Sequence, residues 1–119
     1  MTAVFVYGTL KTGGSNHDFM AGQSYIGRTR TVPGYTLYEL SGYPGLVAME
    51  GDSDGVSGEL WLVDDEGLSR LDALEGTEEG LYRRGPVELE GGHGGRRVET
   101  YFYARSIEGR RRVGADWNG

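Results

Sequence analysis

Short runs of β-branched and aromatic residues, each closed off by Gly or Pro, recur along the chain and read as strands. They span Ala3 to Tyr7, Tyr25 to Val32, Tyr35 to Leu40, Gly45 to Met49, Val56 to Val63, Arg84 to Glu90 and Arg97 to Tyr103. In the last run, alternation puts Tyr101 and Tyr103 on one face and Phe102 on the other. Helical spacing is strongest over Asp65 to Glu75, where Leu68, Leu71 and Leu74 repeat behind an Asp64 or Asp65 cap. Gly76 stands where a left-handed C-cap belongs. A second stretch, Ser15 to Gly22, predicts only a turn or two, capped by Ser15 or Asn16. Strands around one good helix predict an α+β domain with a curled or barrel-like mixed sheet. The Gly91-Gly92-His93-Gly94-Gly95 segment reads as a hairpin tip, and beyond Ser106 the chain reads as a tail laid across the surface. In that tail, Arg110 to Arg112 are expected to be a solvated surface stretch, with pairing to an acidic substrate or to the Asp-rich loop near Asp52 and Asp54 as the alternatives.

Composition narrows what such a domain does. The 119 residues fit a single domain over 1–119, without internal repeat or linker. Twelve Lys and Arg against eighteen Asp and Glu leave a net charge of -6, the wrong sign for holding a phosphate backbone, so no nucleic-acid partner is expected. With no Cys there is no disulfide framework and no thiolate for catalysis or metal binding. Apolar runs such as Ala3 to Tyr7 fall far short of the roughly 20 residues that span a bilayer, so no membrane segment is expected. Met1 leads directly into a strand-like run without a basic flank or cleavage site, and the chain is expected to be cytoplasmic.

Three features carry candidate chemistry. After the first strand, Tyr7-Gly8-Thr9-Leu10 forms a turn that can point successive backbone N–H groups outward as an anion nest, although a plain turn has the same sequence. Glu75 continues the stripe of Leu68 and Leu71, so it faces inward at the negative pole of the helix. Both conditions disfavour its ionised form and raise its pKa toward that of a general base; a structural role fits the position equally well. Asp72 is the rival carboxylate, with an ion pair to Arg83 or Arg84 as its structural role. The aromatic set Tyr82, Tyr101 and Tyr103 is suited to line a pocket or to fill a core. His17 and His93 have no partner at ligand spacing, so no metal site is expected.

Taken in order, "VFVYGTLKTGGSNHDFM", "YPGLV", "VSGELWLVDDEGLSRLDALEG", "LYRR" and "YFYAR" resemble the gamma-glutamyl cyclotransferase superfamily, nearest its short gamma-glutamylamine cyclotransferase-like branch. The resemblance runs from Val4 to about Arg105. It implies a small mixed β-barrel flanked by short helices, with a cavity at the end of the first strand. It further implies that backbone amides of Tyr7, Gly8, Thr9 and Leu10 hold the carboxylate of a gamma-glutamyl amide, and that Glu75 is the catalytic acid–base. In the implied reaction the substrate's own α-amine attacks its γ-carbonyl, closing 5-oxoproline and releasing an amine, with no cofactor. A backbone N–H of the turn or the Tyr103 hydroxyl is the expected donor to the oxyanion. The competing expectation is a non-catalytic domain that uses the same turn to bind a small acid or a partner.

Overall fold

The computed structural model describes residues 1–91 and 96–117. Its first apolar run forms β1, Thr2–Val6, and the make-up of that strand sets its place in the sheet. Ala3, Val4, Phe5 and Val6 are all buried, so both faces of the strand are covered, as happens inside a sheet. Alternation then divides them. Ala3 and Phe5, followed by Tyr7, join one apolar cluster with Leu37, Leu46 and Phe102. Val4 and Val6 join another with Met20, Trp61, Leu71, Tyr82 and Tyr101.

The other strands are β2 (Ser24–Arg30), β3 (Tyr35–Glu39), β4 (Pro44–Ala48), β5 (Ser57–Val63), β6 (Tyr82–Pro86), β7 (Val98–Tyr103) and β8 (Arg111–Gly114). Their order is β2-β5-β1-β7-β4-β3-β8, with β6 paired to β7. β1 and β4 run parallel to β7, and the remaining pairs are antiparallel. Glu99 pairs with both Val4 and Pro86, and Phe102 with both Leu46 and Arg83. Hence β6 occupies one edge of β7, while β1 and β4 share the other edge end to end. The mixed sheet curls into a half-barrel and opens where β1 stops and β4 takes over.

The single α-helix among the described residues, α1 (Asp65–Leu74), begins as its sequence requires. The Asp64 carboxylate accepts a hydrogen bond from Gly67 N at 2.7 Å, and Asp65 and Glu66 fill the first turn, where they favour the helix dipole. Leu71 packs into the second cluster. Helical geometry ends at Leu74, Glu75 is the C-cap, and Gly76 takes φ +64°, a left-handed conformation costly for other residues. Ser15 to Gly22 shrinks to a 3-10 turn, His17–Met20.

Two expectations need correction. The predicted strand from Arg84 to Glu90 is displaced to Tyr82–Pro86, because after Val87, whose N–H still donates to Val98 O, the chain leaves β7 and runs beside the end of β2, where Val32 N donates to Glu88 O and Glu90 N to Arg30 O. The tail is not merely laid on the surface: Arg111–Gly114 adds β8 to β3, and Trp117 is buried in the first cluster. Its basic run reads as surface because Arg111 and Arg112 reach outward to Glu39 and Asp52. Gly92 to Gly95 of the predicted hairpin tip, with His93, lie outside the described residues.

Candidate active site

Where the sheet opens, a cavity of about 360 Å³ is walled by the turn after β1, the β3–β4 hairpin at Gly42 to Pro44, the end of α1, the start of β6 and Tyr101 of β7. Tyr7, Gly8, Thr9, Leu10 and Glu75 all line it, so two features far apart in sequence meet here.

The turn earns its shape from the hydrogen bonds behind it. The carbonyls of Gly8 and Thr9 accept from Lys11 N (3.1 Å) and Asn16 N (2.9 Å), and that of Leu10 lies 3.0 Å from His17 Nδ1. Among the turn and loop hydrogen bonds of the described residues, none is donated by the N–H groups of Gly8, Thr9 or Leu10. Carbonyls held on one side leave the amides on the other, which is the condition for an anion nest. Asn16 Nδ2 also donates to Thr9 Oγ1 at 3.0 Å. Gly8 is required by packing: a Cβ there would sit 2.6 Å from Pro44 Cγ.

A residue that sequence reasoning missed anchors the far end of this loop. Glu59 of β5 is buried, and its Oε1 accepts from Thr12 N (2.9 Å), Thr12 Oγ1 (3.3 Å) and Trp61 Nε1 (3.2 Å). Those bonds offset the cost of burying the carboxylate. The available signal was an acid in an otherwise apolar strand, Gly58-Glu59-Leu60-Trp61.

Glu75 enters from the opposite wall, with no side-chain hydrogen bond to another described group. Burial pushes its carboxyl from the usual 4.5 up to about 7. At neutral pH such a group is divided between acid and base, the state that proton transfer requires. Asp72, one helical turn earlier, has the structural role: its Oδ1 lies 3.1 Å from Arg84 Nε and accepts from the Tyr101 hydroxyl at 2.7 Å.

Four tyrosines line the cavity: Tyr7, Tyr43 of the β3–β4 hairpin, Tyr82 and Tyr101. The Tyr7 hydroxyl donates to Tyr101 O (2.6 Å) and accepts from Leu46 N (3.2 Å), tying β7 to β4 across the opening. The Tyr82 hydroxyl donates to Pro44 O at 2.7 Å. Tyr103 does not line the cavity. It shares a face with Tyr101 but stands two residues further along β7, about 7 Å away at strand rise, where its ring packs edge-on against Tyr82. The expectation that it lines the site therefore gives way to Tyr82 and Tyr101.

An amide nest facing a carboxyl held near neutrality defines an anion-binding cavity with its own acid–base group, on a curled mixed sheet. The chain belongs to the gamma-glutamyl cyclotransferase, AIG2-like family, whose model matches residues 4–119. It is 33% identical over 110 residues to the gamma-L-glutamyl-butirosin B gamma-glutamyl cyclotransferase of Niallia circulans, covering 88% of this chain and 69% of that protein. It is 32% identical over 115 residues to the gamma-glutamylcyclotransferase family protein YtfP of Escherichia coli K12, covering 96% and 94%. The crystal structure of an AIG2-like protein from Mus musculus shares the fold with a TM-score of 0.68 and 30% identity, over 89% of this chain and 78% of that one.

Proposed function

We propose that the chain is a gamma-glutamyl cyclotransferase that acts on a gamma-glutamyl amine, with Glu75 as its acid–base group. The observation that carries this reading is the placing of Glu75, with its carboxyl at about 7, in the same cavity as the Gly8 to Leu10 amides. The amides hold the substrate's α-carboxylate. This fixes the glutamyl chain so that its α-amine can fold back onto its γ-carbonyl carbon, and tethering supplies the large effective molarity of an intramolecular reaction. The resting amine is an ammonium and cannot attack. Glu75 takes one proton from it, the C–N bond of 5-oxoproline forms, and Glu75 passes that proton to the leaving nitrogen as the amide bond breaks; the remaining extra proton of the ring nitrogen follows through Glu75 to the released amine, which departs as an ammonium. Proton count is restored, and no water is consumed.

The amine class is supported by charge. No Lys, Arg or His lines the cavity among the described residues. Arg84 is engaged by Asp72 and Glu99, and Arg83 lies over the Phe102 ring. The segment after Glu75 exposes Glu78 and Glu79. A leaving group bearing a carboxylate, as in glutathione, meets no cationic side chain in the cavity lining, although Arg105 reaches Glu79 O at 3.0 Å, whereas a cationic amine is favoured by the acids. That the Niallia relative is named for a gamma-glutamyl group on butirosin B agrees with this class. A panel of gamma-glutamyl amides assayed for 5-oxoproline tests the reading. Gamma-glutamyl amines are expected to give a larger kcat/KM than glutathione, and the margin is expected to shrink as salt rises. A preference for glutathione refutes the amine assignment, and no release from any member of the panel refutes the activity.

A further inference from the structure

Three of the four tyrosine hydroxyls of the cavity, those of Tyr7, Tyr82 and Tyr101, have fixed polarity. A phenol has one proton and two lone pairs. A backbone carbonyl can only accept, so Tyr7 at 2.6 Å from Tyr101 O and Tyr82 at 2.7 Å from Pro44 O must each direct the proton at that carbonyl. Tyr101 directs its proton at Asp72 Oδ1, a carboxylate that Arg84 Nε approaches to 3.1 Å. Tyr7 also accepts from Leu46 N, which occupies one of its lone pairs. Tyr82 and Tyr101 are left with lone pairs alone. Burial, reinforced by the Glu75 carboxylate for Tyr82 and chiefly by Asp72 for Tyr101, raises both phenols well above their usual range, so they keep their protons at any working pH.

The cavity is thus divided by hydrogen-bonding sense: amide donors at the turn after β1, and on the far side phenol oxygens of β6 and β7 that only accept, beside a Glu75 carboxyl that accepts when ionised. A carboxylate suits the first end. An ammonium, with three donors and no acceptor, suits the second. We propose that the hydroxyl oxygens of Tyr82 and Tyr101, beside Glu75, form the subsite that recognises the substrate's α-ammonium and aims it at Glu75 for deprotonation. Asp72 and Arg84 act through Tyr101, as positioning residues that lock its proton away from the cavity. One consequence is that none of these phenols donates to the oxyanion. The donors left for that task are the backbone N–H groups of the turn and the hydroxyls of Tyr43 and Ser15, which also line the cavity. The proposal rests on the gamma-glutamyl reading of the cavity and adds to it the recognition of the amine.

Binding of two unreactive probes by the intact protein tests it. L-glutamate carries the α-ammonium, and glutarate is the same dicarboxylate chain without it. Calorimetry is expected to show L-glutamate bound about tenfold or more tighter than glutarate, since hydrogen bonds to a charged donor are the strong ones. Tyr101→Phe and Tyr82→Phe are each expected to cut that ratio several-fold with the Kd of glutarate unchanged. Asp72→Asn is expected to do the same, because an amide at 72 can donate to the Tyr101 oxygen and turn its proton toward the ligand. Should both probes bind the wild type without an ammonium preference, or should the Phe variants keep that preference, the subsite assignment is wrong while the gamma-glutamyl reading stands. Equal loss of both probes in the Phe variants marks a structural role and also overturns it. If neither probe binds the wild type, the subsite and the reading beneath it fall together.

Discussion

Replacing Glu75 by Gln is expected to move activity and stability in opposite directions. Gln keeps the shape of the side chain and cannot take a proton, so 5-oxoproline release is expected to fall about 10²- to 10⁴-fold, the usual contribution of a positioned acid–base group. Stability follows from linkage. In the folded protein the Glu75 carboxyl is held at about 7 against an ordinary 4.5. A raised carboxyl pKa means that the folded state binds the proton more tightly than the unfolded one. Its contribution is therefore fully present below pH 4.5 and is lost as pH rises through about 7. At about 1.4 kcal/mol per tenfold, the full cost of ionising the buried group is about 3 kcal/mol. Water reaching the partly exposed side chain lowers this to roughly 1–2 kcal/mol. Glu75→Gln avoids that cost, so its denaturation midpoint is expected to exceed that of the wild type at pH 8 and to approach it at pH 4. Asp72→Asn supplies the contrast, because Asp72 holds Arg84 and the Tyr101 hydroxyl in place. It is expected to lose about 1 kcal/mol at pH 8 and far less turnover than Glu75→Gln. Urea melts at both pH values, with 5-oxoproline release measured on the same preparations, carry the test. A Glu75→Gln protein that is less stable than the wild type at pH 8, or that retains turnover, refutes the assignment of Glu75 as a buried acid–base group without a partner.

Two further outcomes follow from the same geometry. The kcat/KM of the wild type is expected to rise with pH in proportion to ionised Glu75 and to level off above about 7, and a profile flat between pH 5 and 8 would argue against this base. Glu59→Leu strips the acceptor from Thr12 N, Thr12 Oγ1 and Trp61 Nε1, so it is expected to cost roughly 1–3 kcal/mol and to raise KM more than it lowers kcat. Glu59→Gln keeps an oxygen in place and is expected to restore KM, whereas equal effects of both variants on KM and kcat would remove the link between this anchor and the amide turn.

What could be read from the sequence was local. The core strands, the capped helix and the inward aim of Glu75 follow from alternation, from i+3 and i+7 spacing and from the Asp64 and Gly76 caps, each decided within a dozen residues. The turn at Gly8 was legible for the same reason, since a strand that ends in Gly can bend wherever it is placed. The tail was misread because charge masked pattern: the pairing of its Arg run with the loop at Asp52 was among the expectations and is met by Arg112, but β8 was not expected, since Arg111 and Arg112 look like solvated surface until β3 supplies an edge to pair with.

The acceptor side of the cavity was beyond such reading for a different reason. Period two correctly places Tyr101 and Tyr103 on one face, yet only the register of β7 against β6 decides which of them reaches the opening. Tyr101 pairs with Arg84, which brings Arg84 to the Asp72 that accepts the Tyr101 hydrogen bond, while Tyr103 pairs with Tyr82, packs edge-on against its ring and stays out of the cavity lining. The direction of each phenol's proton depends on partners 94, 38 and 29 residues away in the chain, for Tyr7, Tyr82 and Tyr101 in turn. Hydrogen-bond sense is thus a property of the assembled sheet. It also bears on the proposed activity: a nest that only held a small acid would need the donor end alone, and an acceptor end built around an ionisable carboxyl is useful where a bound cation must lose a proton.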